Sequence, residues 1–149
     1  MPIGEIIGAD RVVVGLRATD KTQLLRELAG RAATALGIDR GVVFDALQAR
    51  ESLGSTGLGK GFALPHARLD ALSQSFALFV RLARPIDFEA IDERPVDLVI
   101  LLLGPADNGN QHLATLAALS RPLRDAAFVQ KLRQAPDAAA VHRLLADPL

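Results

Sequence analysis

The chain has 149 residues, with 17 Lys plus Arg against 17 Asp plus Glu; 50% are hydrophobic, 23% are charged, and there is no Cys, Trp or Tyr. Balanced charge gives no net field for DNA, RNA or an anionic membrane, and the hydrophobic fraction is that of a globular domain rather than a disordered segment. Without cysteine there are no disulfides, no thiolate zinc sites and no cysteine nucleophile; with only six Phe as aromatics, the stacking platforms used by single-stranded nucleic acids are missing too. A chain of this length supports one core, and no linker or repeat divides it, so a single domain over residues 1–149 is expected. Met1 to Arg11 has no basic stretch followed by an apolar core, and the longest strongly apolar run, Leu98 to Leu103, is far short of the ~20 residues of a membrane helix. The expected location is the cytoplasm, with no membrane insertion.

Val12 to Leu16 is a β-branched run and predicts a strand. Thr19-Asp20 then opens an amphipathic helix through Leu24, Leu25, Leu28, Ala32 and Leu36, with Asp20 and Gln23 as a capping box and Gly37 as a left-handed stop. Asp39 caps a second helix that runs to about Leu53. A glycine-rich loop follows, then a brief extended segment, Phe62 to Leu64, and His66 directly after Pro65. Ser75 to Leu82 and Val96 to Leu103 are strands, the second so continuously apolar that it belongs at the sheet centre, buried on both faces. Arg84 to Pro95, with its two prolines, is expected to be a loop with a tight turn. After the polar loop Ala106 to Gln111, Asn110 caps a helix with an apolar stripe of Leu113, Leu116, Ala117 and Leu119 or Ser120. Helices over Asp125 to Gln134 and Asp137 to Leu145 complete the chain. This order predicts an α/β fold with helices packed on the faces of a mixed sheet.

Gly54 to Gly61 nearly satisfies the nucleotide-binding P-loop pattern, but Gly61 replaces the hydroxyl residue after Lys60, and the loop leaves a helix to enter an extended segment. Its glycines still let backbone amides converge on an anion, with Ser55 and Thr56 adding hydroxyl donors; a turn that simply needs positive φ accounts for the glycines equally well. Of three histidines, His142 neighbours Val141 and Leu144 on the last helix and is assigned no role. His66 adjoins the loop, and His112 falls in the first turn of its helix, where the dipole favours anions and lowers a histidine pKa. Either could be a neutral nucleophile. Two histidines alone do not define a zinc site without a third ligand, for which Asp70 and Asp107 are the only plausible carboxylates nearby in sequence, and no serine-hydrolase elbow is present.

The stretch from Arg50-Glu51 through Ser55-Thr56-Gly57 to Leu64-Pro65-His66 resembles the signature of the mannitol/fructose-type enzyme IIA family of the bacterial phosphotransferase system. Phe88-Glu89-Ala90-Ile91-Asp92, Pro95-Val96-Asp97-Leu98 and Pro105-Ala106-Asp107 followed by His112-Leu113 resemble its nitrogen-regulatory branch. The resemblance implies a three-layer α/β domain with a mixed, roughly five-stranded sheet and helices on both faces. It implies that His66 accepts a phosphoryl group through its ε nitrogen, with His112 contacting that group and Arg50, Ser55 and Thr56 supporting it. No metal and no cofactor is implied. The implied donor is a phosphohistidine on a small HPr-like carrier (NPr), and the implied targets are regulatory proteins such as sensor kinases or potassium transporters. Ala67 departs from the glycine frequent in relatives, and Lys60 from a polar residue such as asparagine; neither removes a group the chemistry needs. Two other functions compete: a sugar-specific enzyme IIA passing phosphate to a IIB cysteine, and a non-catalytic binding module with the same fold, which predicts loss of His66 or His112.

Overall fold

The computed structural model describes residues 3–107 and 109–147; the first two residues of the N-terminal stretch, residue 108 of the polar loop and residues 148 and 149 lie outside it. A one-turn helix α1 (Ile3–Ile6) precedes β1 (Val12–Leu16), α2 (Lys21–Leu36) and α3 (Arg40–Ser52). Four strands follow before the central one is reached: β2 (Gly57–Gly59), β3 (Phe62–Ala63), β4 (His66–Leu69) and β5 (Phe76–Ile86) lead to β6 (Val96–Pro105). The chain ends in α4 (Gly109–Ser120), α5 (Ala126–Gln134) and α6 (Ala138–Ala146).

The sheet is mixed and has six strands, in the order β1-β5-β6-β3-β2, with β4 also paired to β6. β6 is the centre, as its nearly continuous apolar run requires, and all its residues are buried except the half-buried Asp97. Alternation along β5 and β6 divides the core. Leu78, Val80, Leu82, Val99, Leu101 and Leu103 pack with α2 and α3, whereas Ala77, Phe79, Leu98, Ile100 and Leu102 pack under α1, α5 and α6. Three layers result.

The sixth strand arises because the glycine-rich loop folds into a hairpin. Lys60 (φ 58°) and Gly61 (φ 81°) both take left-handed conformations between β2 and β3, the requirement of a two-residue turn. β3 and β4 share one register on β6, Ala63 opposite Val99 and His66 opposite Leu102. They are one strand interrupted where Pro65 has no N–H to donate, although its carbonyl still accepts from the Leu102 N–H at 3.0 Å. β5 runs to Ile86, four residues past its predicted end and into the stretch expected to be loop, because Ile86 is buried and pairs with Val96.

Asp20 accepts from the Gln23 N–H at 2.8 Å, and Gln23 reaches back one residue further than expected, to the Thr19 N–H. Gly37 closes α2 at φ 67°. Asp39 stands at the α3 N-cap without a side-chain cap bond, and Asn110 is inside α4 rather than at its cap. The α4 stripe also differs: His112, Thr115 and Leu119 are buried while Leu113 is exposed, so a histidine and a threonine occupy the face assigned to leucines.

Candidate functional site

His66 opens β4 at an open edge of the sheet, where β6 is its only strand neighbour among the described residues. Its side chain lies on the α4 side, since Ala67 and Leu69 take the alternate positions facing α2 and α3. An edge strand lacks a neighbour on one flank, so groups from both helical layers reach the imidazole. From α3, Arg50 donates through Nε to His66 Nε2 at 3.3 Å and through Nη1 to the Gly54 carbonyl at 2.9 Å. From the other layer, His112 brings its ring centroid to 5.7 Å, tilted by 52°.

These contacts fix the tautomer. His66 Nδ1 lies 2.8 Å from the Leu64 carbonyl, which only accepts, so Nδ1 carries the proton and the Nε2 lone pair faces Arg50. Burial lowers the His66 pKa, the Leu64 carbonyl opposes that, Arg50 adds to it, and Glu51 opposes it again. The ring is therefore held neutral with its ε nitrogen available.

His112 is 7% exposed, and its pKa is lowered first by burial, then by His66 and Arg68. Its Nδ1 is buried without a hydrogen bond against Gly104, where a Cβ would stand 2.6 Å away; only glycine leaves room for the ring. An unpartnered lone pair is cheaper to bury than an unpartnered N–H, so the proton belongs on Nε2.

The two loop hydroxyls are committed elsewhere. Ser55 Oγ donates to the Phe88 carbonyl at 3.3 Å and accepts from the Gly57 N–H at 3.0 Å. Thr56, 2% exposed, donates its hydroxyl to Glu51 Oε2 and its N–H to Oε1 at 3.1 Å. The Glu51 carboxylate also pairs with Lys21 Nζ at 2.9 Å. This buried knot ties the loop to the ends of two helices and sets the carbonyl that Arg50 grips. Its sequence signal was spacing: Glu51 continues the Val43-Leu47 stripe at intervals of four, an acid on a buried helical face.

Sequence reasoning also missed Arg68. It is two residues beyond His66, on the same face of β4, with Nη1 3.0 Å from where a Gly109 Cβ would stand, and it lines the same cleft. The period-two rule was the signal available. Arg50, His66, Arg68 and His112 converge on a cleft of about 730 Å³ whose margin includes the exposed Leu53 and Leu113. A neutral imidazole lone pair with two guanidiniums beside it suits attack on an anionic electrophile. Among the described residues, no cluster of three or more His, Asp or Glu is placed to hold a metal ion, and no helix is long and apolar enough to cross a membrane.

The chain matches, over residues 5–147, the model of the family described as phosphoenolpyruvate-dependent sugar phosphotransferase system, EIIA 2. It is 45% identical over 148 residues to a nitrogen regulatory protein of Bradyrhizobium diazoefficiens, covering 99% of this chain and 97% of that one. It is 41% identical over 109 residues to a fructose-specific EIIA component of Haloferax volcanii, covering 73% of this chain and 71% of that one. The crystal structure of nitrogen regulatory protein IIA-Ntr from Neisseria meningitidis superimposes with a TM-score of 0.90 at 33% identity, covering 96% and 98% of the two chains. With the signature residues gathered at one sheet edge and the match running through nearly every element, the chain belongs to the EIIA type-2 family of phosphotransferase components, its nitrogen-regulatory members among its relatives.

Proposed function

We propose that the protein is a cytoplasmic nitrogen-regulatory enzyme IIA that accepts a phosphoryl group on Nε2 of His66 from a phosphohistidine of an HPr-like carrier. The observation that carries this is the locked tautomer: Nδ1 is tied to the Leu64 carbonyl, so Nε2 carries the lone pair and is the nucleophile. In the transfer the Nε2 lone pair forms the new N–P bond as the donor's N–P bond breaks, and the donor imidazole, protonated on its other ring nitrogen, keeps that electron pair and leaves neutral. Nδ1 retains its proton, and the Leu64 carbonyl steadies the positive charge that develops on the ring. Arg50, whose 3.3 Å contact is long for a hydrogen bond, shifts from Nε2 to the arriving oxygens, while His112 donates from Nε2. Ser55 and Thr56 support the site by fixing the loop, since their own protons are already engaged.

Phosphorylation would place a dianion in a cleft rimmed by Leu53 and Leu113, altering which partner surfaces fit, and regulation follows from that change. The 45% identity to a nitrogen regulatory protein along nearly the whole chain favours this branch. The fructose-specific relative supports a second reading, in which the phosphoryl group passes on to a IIB cysteine. Incubation with phosphoenolpyruvate, enzyme I and the HPr-like carrier should yield one acid-labile phosphate, and none on His66→Ala. Labelling of His66→Ala equal to wild type would overturn the assignment. Absence of labelling in both would favour a binding module, and rapid discharge to an isolated IIB domain would favour the sugar-specific reading.

A further inference from the structure

Across the sheet from His66, beside edge strand β1, lies a groove of about 700 Å³ bordered by α2 and the strands β1 and β5. Four arginines line it: Arg11, Arg26, Arg31 and Arg40. Two are partly neutralised, Arg11 by Asp10 at 3.7 Å and Arg31 by Glu27 at 3.2 Å. Arg26 and Arg40 have no carboxylate or hydrogen-bond partner among the described residues; Arg26 rests on the Phe44 ring, 5.0 Å from its centroid. A chain of zero net charge thus gathers two unpaired guanidiniums in one concavity.

Arg40 is seated by a feature that helix formation alone would disfavour. Gly30 is buried in the interior of α2, where glycine is a poor helix residue, and a Cβ there would stand 3.0 Å from Arg40 Nη2 and 3.2 Å from both Cζ and Nε. Three nearly equal distances mean that the guanidinium turns its flat face to Gly30. Guanidinium donors lie in the plane of the group, so this seat leaves them free. Arg11 lies likewise over the Phe76 ring at 4.3 Å. Arg26 and Arg40, stacked on a ring and on Gly30 with their forks unspent, are prearranged to grip planar or tetrahedral oxyanions.

We propose that this groove binds a small molecule carrying two or more phosphate groups. Its volume is within the range of small-ligand sites, about 300 to 1,000 Å³, and two uncommitted forks match a ligand with at least two anionic centres. His66 takes no part, so the inference stands independently of the phosphoryl-acceptor reading.

The test is calorimetric titration of the full chain with inorganic pyrophosphate, with inorganic phosphate in parallel. Saturable one-to-one binding of pyrophosphate is expected, with phosphate at least tenfold weaker. Arg40→Gln and Arg26→Gln should each weaken pyrophosphate at least tenfold, Gly30→Ala should weaken it by displacing the Arg40 seat, and Arg124→Gln outside the groove should leave it unchanged. Amide shifts in a nitrogen-15 spectrum should cluster around Gly30 and Arg40, which separates loss of binding from loss of fold. Absence of saturation, or equal weakening by Arg40→Gln and Arg124→Gln, overturns the proposal. So does binding of a glutamate-rich peptide without binding of pyrophosphate, which would make the groove a protein-docking face.

Discussion

His66 and His112 face one cleft, and burial is the first cause that lowers the pKa of each, but their nitrogens are partnered differently. His66 is half-buried and hydrogen-bonded at both nitrogens, whereas His112 is buried by packing on Gly104 with one nitrogen unpaired. Arg50 is the donor in direct contact with the proposed nucleophile. Arg50→Ala should slow phosphoryl transfer about a hundredfold without unfolding the chain, the usual cost of removing one donor aimed at developing charge, and rapid-quench labelling measures it. Gly104→Ala tests the His112 seat from behind. The new methyl must displace the ring, so slower labelling should accompany a loss of about 1 to 3 kcal/mol in urea denaturation. Glu51 binds Lys21 and Thr56 out of water. Glu51→Ala strands the Lys21 charge and should cost about 3 to 5 kcal/mol, measured the same way.

Among the elements, the helix starts allow a controlled comparison. Asp20, Asp125 and Asp137 each accept a backbone N–H at their helix N-cap, and Asp39 occupies the same position without such a bond. Alanine at each of the first three should cost about 1 kcal/mol, and Asp39→Ala markedly less, in parallel thermal melts. The far end of α5 is closed by long-range arginines. Arg81 Nη1 donates to the carbonyls of Leu132, Arg133 and Ala135, taking up the negative end of the helix dipole. Arg133 grips Asp97 through two nitrogens and donates to the Lys60 carbonyl at 2.9 Å, pinning the β2–β3 turn to α5. The turn that precedes the site is thereby braced from the opposite layer.

In the molecule as a whole, the site occupies an edge because only there can both helical layers reach one side chain. Arg50 comes round the margin from the α2–α3 layer, and His112 descends from α4. Both histidines have pKa values lowered by folding, which couples the site to global stability. Below the unfolded value of ~6.5, the unfolded chain binds protons that the folded chain refuses, so stability is full above that pH and falls as pH drops toward the folded values. Urea midpoints should decline on acidification through this window, with a shallower decline in His66→Gln. The amino-acid sequence alone specifies the central strand, the helices that begin at Asp20, Asp125 and Asp137 and the segment bearing His66, because a nearly continuous Val, Ile and Leu run, N-cap aspartates and a proline before a histidine act through burial, local sterics and hydrogen bonding. It could not yield the β2–β3 hairpin, whose glycines serve a flexible loop and a left-handed turn equally well, nor the continuation of β5 to Ile86, which depends on pairing with Val96. The Ser55 and Thr56 hydroxyls look like free donors until Phe88 and Glu51 claim them, and Arg68 enters the cleft only because β4 has period two and faces α4. Those features depend on partners distant in sequence, and only tertiary structure decides which polar atoms are already satisfied and which remain for a ligand.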